Sequence, residues 1–467
     1  MNRVGMTGRN LVRRTGLWLG LGVGVGALGV LAAPVSVEVG LAVRDVSPEL
    51  PIRLAGYAGR QQPADRAEHP LLVQALALRN PTGERFVFVA LDNCEVSGEF
   101  MAPVLQQCRE RYQLPRGAVA VVSSHTHSAP VLESTLTDMT QPTTPEREQI
   151  VRYSRRLQQE LVAVVGAALE TFEPATLEHG LGRATFAMNR RVYRGDQVVF
   201  GDNPDGPVDW DVPVLRIRRP DGAVRAIVFG YACHGTSVRG GEDWHVVSGE
   251  YMAYARQHLE AMHPGAVALY LTGMGADIDP APRGRLLDAR RHGLQLAGAV
   301  LGVLDRPMRP VRGGFRMAYD EVELPFVPPP GRDRLEADAR SADVHVRQRA
   351  EAYLKRMDAG QPVPRAVRLP VAVVRVGEDL TFLLAGGEVV VDYARRWKRL
   401  LAQDHPWPVG YAYEVPCYIP SVRLLKEGGY EADSSFIYYG FYGPFDASIE
   451  DRLVDGVSAL VSGLRGP

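Results

Sequence analysis

Histidines and acids recur in this sequence just where short apolar runs end. The run 119–122 leads through two serines to His125-Thr126-His127. The run 226–231 leads to His234 in ACHGTS, 267–271 to Asp277 and Asp279 in TGMGADIDP, and 380–384 to Glu388 in AGGEVV. In an extended segment residues i and i+2 point to the same side, so both imidazoles of the His-x-His pair can face one point. Imidazole nitrogens and a carboxylate oxygen are the usual non-thiolate ligands of zinc. A catalytic zinc keeps one position open for water and lowers its pKa to ~7. A remaining histidine or acid can then shuttle protons. Taken singly, each residue has a plainer reading. His234 beside Cys233 could be a satisfied core histidine, and Asp277 and Asp279 could make Asx-turns. Glu388 could be a carboxylate favoured by a helix N-terminus. Their shared placement after strands raises the set above its parts, because sites in α/β folds gather outside the carboxyl ends of strands. His69, His179, His292, His345 and His405 lack that context and read as surface or packing residues.

The elements that must position these groups follow from the pattern. Short apolar runs at 86–91, 119–122, 226–231, 267–271, 371–376 and 380–384 read as buried strands. Helix-like segments separate them, which favours an α/β architecture of mixed sheets flanked by helices. Thr144 can cap a helix with Pro145 in its first turn, continued by Ile150, Tyr153, Leu157, Leu161, Val164 and Ala168 at helical spacing. The segments 285–304 and 387–401 read as further amphipathic helices. The prolines of FVPPPGRD (326–333) introduce a charged surface helix over 333–357, an excursion rather than a domain boundary. No sequence repeat stands out.

Composition sets wider bounds. The chain has 467 residues and a formal net charge of −1, without the basic excess that nucleic acid or an anionic membrane would call for, so neither is expected as a partner of the folded part on charge grounds. Arg13 and Arg14 precede an apolar, glycine-rich stretch ending near Ala32-Ala33. Residues 1–35 therefore read as a signal peptide or an uncleaved anchor, with a loose twin-arginine match, and the body is expected outside the cytoplasm: periplasmic, secreted or held at the cell envelope. The four scattered cysteines form no Cys-x-x-Cys pair, which argues against a zinc-thiolate site; one or two disulfides, or buried free thiols, remain open.

The motifs, taken in order, resemble the catalytic domain of the neutral, non-lysosomal ceramidases, zinc amidases acting on N-acyl sphingoid bases. VEVGLAVRDVSPELPIRLAGYAGR, SHTHSAP, MNRR, YACHGTS, VVSGEYMAYA, GADIDP, LLAGGEVVVDYA and CYIPSVRLLKEGGYEA carry the resemblance, which runs from about Val37 to about Asp446. It implies one catalytic domain over 36–467. It also implies that His125, His234, Glu388 and Tyr418 hold Zn2+, that zinc-activated water attacks the amide carbon, and that His127 protonates the departing amine. Arg190 and Tyr430 would hold the carbonyl oxygen, a contribution of ~3–4 kcal/mol per donor. The implied substrate is ceramide or a related N-acylated amine, which leaves membrane-surface contact open; the sequence sets no oligomeric state. Two other readings keep the metal: a hydrolase of a different ester, acyl or glycosyl conjugate, and a zinc-bearing envelope binding protein without catalysis. The sequence also departs from the family. Asp279, carried as a further candidate catalytic residue, stands where ceramidases have serine, and Glu250 where Asp is frequent. SHTHSAPVL replaces a glycine-rich loop, and the chain ends before the family's usual C-terminal immunoglobulin-like domain. These departures leave the zinc-ligand motifs intact and bear on specificity.

Overall fold

Three mixed sheets repeat one wiring around a shared core. The computed structural model describes residues 37–465, which lie in one compact unit; the leader or anchor expected over residues 1–35 lies outside the described residues. In the first sheet Glu38–Asp45, Leu72–Arg79 and Arg85–Leu91 pair antiparallel in succession. The helix Gly98–Tyr112 then leads to Val119–Ser123, which pairs parallel with Arg85–Leu91. The second sheet runs Thr176–Arg183, Asp211–Arg218, Val224–Tyr231, helix Glu250–Met262, Val267–Thr272, with the same senses. The third runs Phe315–Pro325, Ala366–Val376, Leu380–Ala385, helix Val391–Leu400, Pro406–Val409, again with the same senses. A further helix follows each: Thr144–Leu169, Leu286–Leu304 and Ile449–Leu464, each packed on the first two strands of its own sheet.

All the strand-like runs are strands. Their buried faces meet in one cluster, to which the first sheet gives Phe88 and Val122, the second Val228 and Leu271, and the third Val374 and Phe382. The continuous apolar runs thus reflect burial on both faces. No helix among the described residues is long and apolar enough to cross a membrane. All four cysteines are buried free thiols, so the disulfide alternative does not hold.

Three local expectations are corrected. The helix expected over 333–357 is two, Arg332–Asp338 and Val344–Asp358, because Asp343 accepts from the N–H of His345 and of Val346 and starts a new helix. The helix expected from 387 begins at Val391; Glu388–Val389 is a short strand instead. The cap of the long helix is Thr143 rather than Thr144, with its N–H bonded to the Glu146 carboxylate at 2.8 Å.

Candidate metal centre and active site

The repeated wiring explains why the candidate residues meet. The third residue beyond the third strand of each sheet is Cys94, His234 and Glu388 respectively. The loop after Val119–Ser123 is then drawn to the loop after Val224–Tyr231: Thr126 bridges Gly235, the His127 N–H donates to the Gly235 carbonyl at 3.0 Å, and the Gly235 N–H donates to the His125 carbonyl at 3.2 Å. A Cβ on Gly235 would stand 2.7 Å from the His125 oxygen, so only glycine admits this approach. The strand Glu388–Val389 pairs parallel with Tyr418–Ile419, placing Glu388 opposite Tyr418. Arg190 is tied in by its N–H to the Asp277 carbonyl at 3.0 Å.

His125 and His234 converge on one carboxylate oxygen, Glu388 Oε2, which lies 3.2 Å from His125 Nε2 and 3.3 Å from His234 Nε2. The opposite ring nitrogens face main-chain carbonyls: His125 Nδ1 bonds Cys94 at 2.9 Å and His234 Nδ1 bonds Gly275 at 3.1 Å. Donation there fixes the tautomer with a bare Nε2 lone pair toward Glu388. Burial, with Arg190 beside it, holds His234 down to about 4, so it is neutral near pH 7. A lone pair facing a carboxylate oxygen is repulsive unless a cation lies between them. The 3.2–3.3 Å separations also match the edge of a tetrahedron with bonds of ~2.0 Å. The donor set therefore fits a zinc ion. His125 adopts φ 58°, a left-handed conformation that a non-glycine residue holds only under constraint, frequent at functional sites.

The remaining candidates surround this set. Tyr418 places its hydroxyl 3.5 Å from His234 Nε2 and accepts from Arg190 at 3.2 Å. Arg190 is buried, donates from Nε to Glu431 at 2.8 Å, and points its other nitrogens at His234 and Tyr418. His127 Nε2 lies 3.1 Å from His125 Nε2, while His127 Nδ1 is buried without a partner. Burial and the neighbouring His125 and His234 hold His127 well below its ordinary value, as a neutral imidazole. Tyr430 packs on Tyr418 and on Phe200. Asp279 accepts from Thr236 at 2.9 Å and pairs with Arg283 at 2.5 Å and Arg190 at 3.5 Å. Burial pushes it up, but the two guanidinium groups outweigh this and hold it at about 2. Asp277 stands apart: its carboxylate accepts from the Val391 N–H and from Asn189, and so fixes the segment that carries Glu388.

A cavity of about 360 Å³ opens on the centre. All the candidate site residues line it except the wholly buried His234 and Asp277. Its other walls combine aromatic and apolar side chains, among them Tyr57, Leu136, Met139, Phe200 and Trp244, with the polar Glu95, Thr236, Arg239 and Arg283, a mixed lining that can seat a ligand with both apolar and polar groups. Several contributors escaped sequence reasoning. Glu95 stands four residues after the run 86–91, next to the Cys94 that occupies the position matching His234, so the strand-end rule applied once more would have found it. Tyr411 and Tyr439, which donate to Glu388 at 3.2 and 2.8 Å, carry no local signal.

A sequence profile described as neutral/alkaline non-lysosomal ceramidase, N-terminal, matches residues 37–272. The chain belongs to the neutral/alkaline non-lysosomal ceramidase family. A curated ceramidase relative, the neutral ceramidase of Oryza sativa subsp. japonica, is 29% identical over 120 residues, spanning 25% of this chain and 15% of that protein. Two solved ceramidase structures share the fold. A ceramidase complexed with C2 superposes with a TM-score of 0.72 at 17% identity, over 92% of this chain and 75% of that one. The neutral ceramidase from Pseudomonas aeruginosa gives 0.71 at 17% identity, over 93% and 75%.

Proposed function

We propose that this chain is a zinc-dependent hydrolase that cleaves the amide bond of ceramide or a related N-acylated amine. The observation that carries the reading is the convergence of two imidazole Nε2 atoms on Glu388 Oε2, with both Nδ1 atoms bonded to main-chain carbonyls. His125, His234, Glu388 and Tyr418 would hold the zinc, which when bound supplies Lewis acidity that lowers the pKa of water and polarises an acyl oxygen.

The chain's own residues do the rest. Arg190, anchored through Nε on Glu431, turns a permanent positive charge toward the place where the acyl oxygen gains negative charge. The Tyr430 hydroxyl supplies a second donor from the cavity wall. His127 starts neutral, so it takes a proton from the attacking water and returns it to the amine nitrogen, which leaves poorly as an anion. Asp279, held ionised, has no proton to give near pH 7 and acts by positioning Arg190.

Zinc analysis coupled to release of fatty acid and amine from a lipid extract tests this. His125→Ala and His234→Ala are expected to lose both zinc and activity. Full activity in a metal-free His234→Ala protein overturns the proposal. A panel of N-acyl and O-acyl substrates with product masses measured separates an amidase from an esterase.

A further inference from the structure

One acid in the cavity has no part in the scheme above. Glu95 is 2% exposed and lines the cavity wall. Its Oε2 contacts the Tyr439 hydroxyl at 3.2 Å, and the same hydroxyl contacts Glu388 Oε1 at 2.8 Å. No arginine, lysine or histidine among the described residues pairs with Glu95, and its second oxygen, Oε1, has no protein partner among them. Tyr439 has one hydrogen to share between two carboxyl groups, and the shorter contact assigns it to Glu388. Glu95 then either carries a proton toward Tyr439 or stands ionised beside it. In both cases Oε1 is an acceptor. An apolar ligand laid against it would leave that acceptor dry and unpaired, which is costly in a buried site.

We propose that Glu95 is a specificity-determining residue that accepts a hydrogen bond from a hydroxyl or amino donor on the substrate close to the scissile bond. The closeness follows from the contacts: a single hydroxyl, that of Tyr439, lies 3.2 Å from Glu95 and 2.8 Å from Glu388, which helps to form the centre. The inference rests on the hydrolase reading given above and adds to it the residue that recognises the group next to the cleaved bond.

The test uses zinc-loaded full-length protein and two substrates that differ in one group: an N-acyl amino alcohol and its deoxy counterpart. Wild type is expected to favour the amino alcohol by about 10- to 100-fold in kcat/KM, the size of one hydrogen bond to a charged or buried acceptor. Glu95→Met, similar in volume, is expected to bring that ratio close to one, and Glu95→Gln, which keeps an acceptor oxygen, to retain part of it. Binding of methylene-ketone analogues (CH2 in place of the amide NH) to metal-free protein is expected to show the same preference and the same loss, independently of turnover. A wild-type ratio near one, or an unchanged ratio in Glu95→Met, overturns the role of Glu95 while leaving the hydrolase reading standing. Failure of wild type to cleave either substrate overturns the hydrolase reading, and this inference with it.

Discussion

At the scale of the residue, the His-x-His pair divides into two environments. His125 faces Glu388 and is fixed by the Cys94 carbonyl; His127 touches His125 and rests against the GYAGR segment, with the Tyr57 ring 4.8 Å away. That segment drew notice in the sequence only as part of a motif, yet it shapes the pair. Gly56 has φ +90°, and a Cβ there would stand 2.3 Å from His127 Cγ and Nδ1. Both the backbone and the space demand glycine. Gly56→Ala should therefore push the His127 ring aside while leaving the residues around Glu388 in place. A displacement of ~1 Å in a proton-transfer group costs on the order of 10²-fold in rate. The expected outcome is a large fall in kcat with zinc content unchanged, measured on the same preparation. Unaltered kcat would show that the position of His127 does not limit the reaction.

At the scale of the element, the strands were legible because each is a continuous apolar run, and the strand-end rule then brought most candidates to one place. What escaped was pairing across long sequence distances. Glu388 looked like a helix-start acid because GEVVVDYA runs into a helix, but its partner Tyr418 lies in a distant two-residue strand with no periodicity to show. Glu250, at the start of the helix Glu250–Met262, illustrates a similar hidden contact. It is wholly buried and accepts from the N–H groups of Val238 and Ser237. Burial pushes its carboxyl up to about 7 against the pull of those N–H groups. An unfolded glutamate titrates near ~4.3, so between the two values the fold binds the extra proton. This contribution to stability is complete below the unfolded value and is lost as pH rises through about 7. Glu250→Gln cannot ionise. Its stability relative to wild type should improve between pH 5 and pH 8, by up to ~3 kcal/mol, in urea denaturation at both pH values. Parallel pH curves for the two proteins would refute the burial argument.

At the scale of the whole molecule, the threefold wiring was invisible because it is a repeat of pairing order and not of residue identity. The first sheet puts Cys94 where the others put His234 and Glu388, and nothing in the letters aligns them. The three sheets nonetheless depend on each other. Phe382 of the third sheet lies 4.9 Å from Phe88 of the first and stacks on Trp407 at the same separation. Between the first and second, Arg256 forms a buried two-pronged pair with Asp92. A sheet that shares its core with two others cannot unfold and leave their apolar faces dry, so the described unit should unfold in one transition despite its length. Phe382→Ala tests this, because truncating a buried phenylalanine costs ~3–5 kcal/mol. If the core is common, the loss falls on the whole unit: far-UV circular dichroism and tryptophan fluorescence should shift together to lower denaturant, with one midpoint. An early fluorescence transition, with much of the far-UV signal surviving it, would mean that the third sheet opens by itself. The centre would then come apart with it, since Glu388 and Tyr418 are carried by the third sheet's loops and both histidines by the other two.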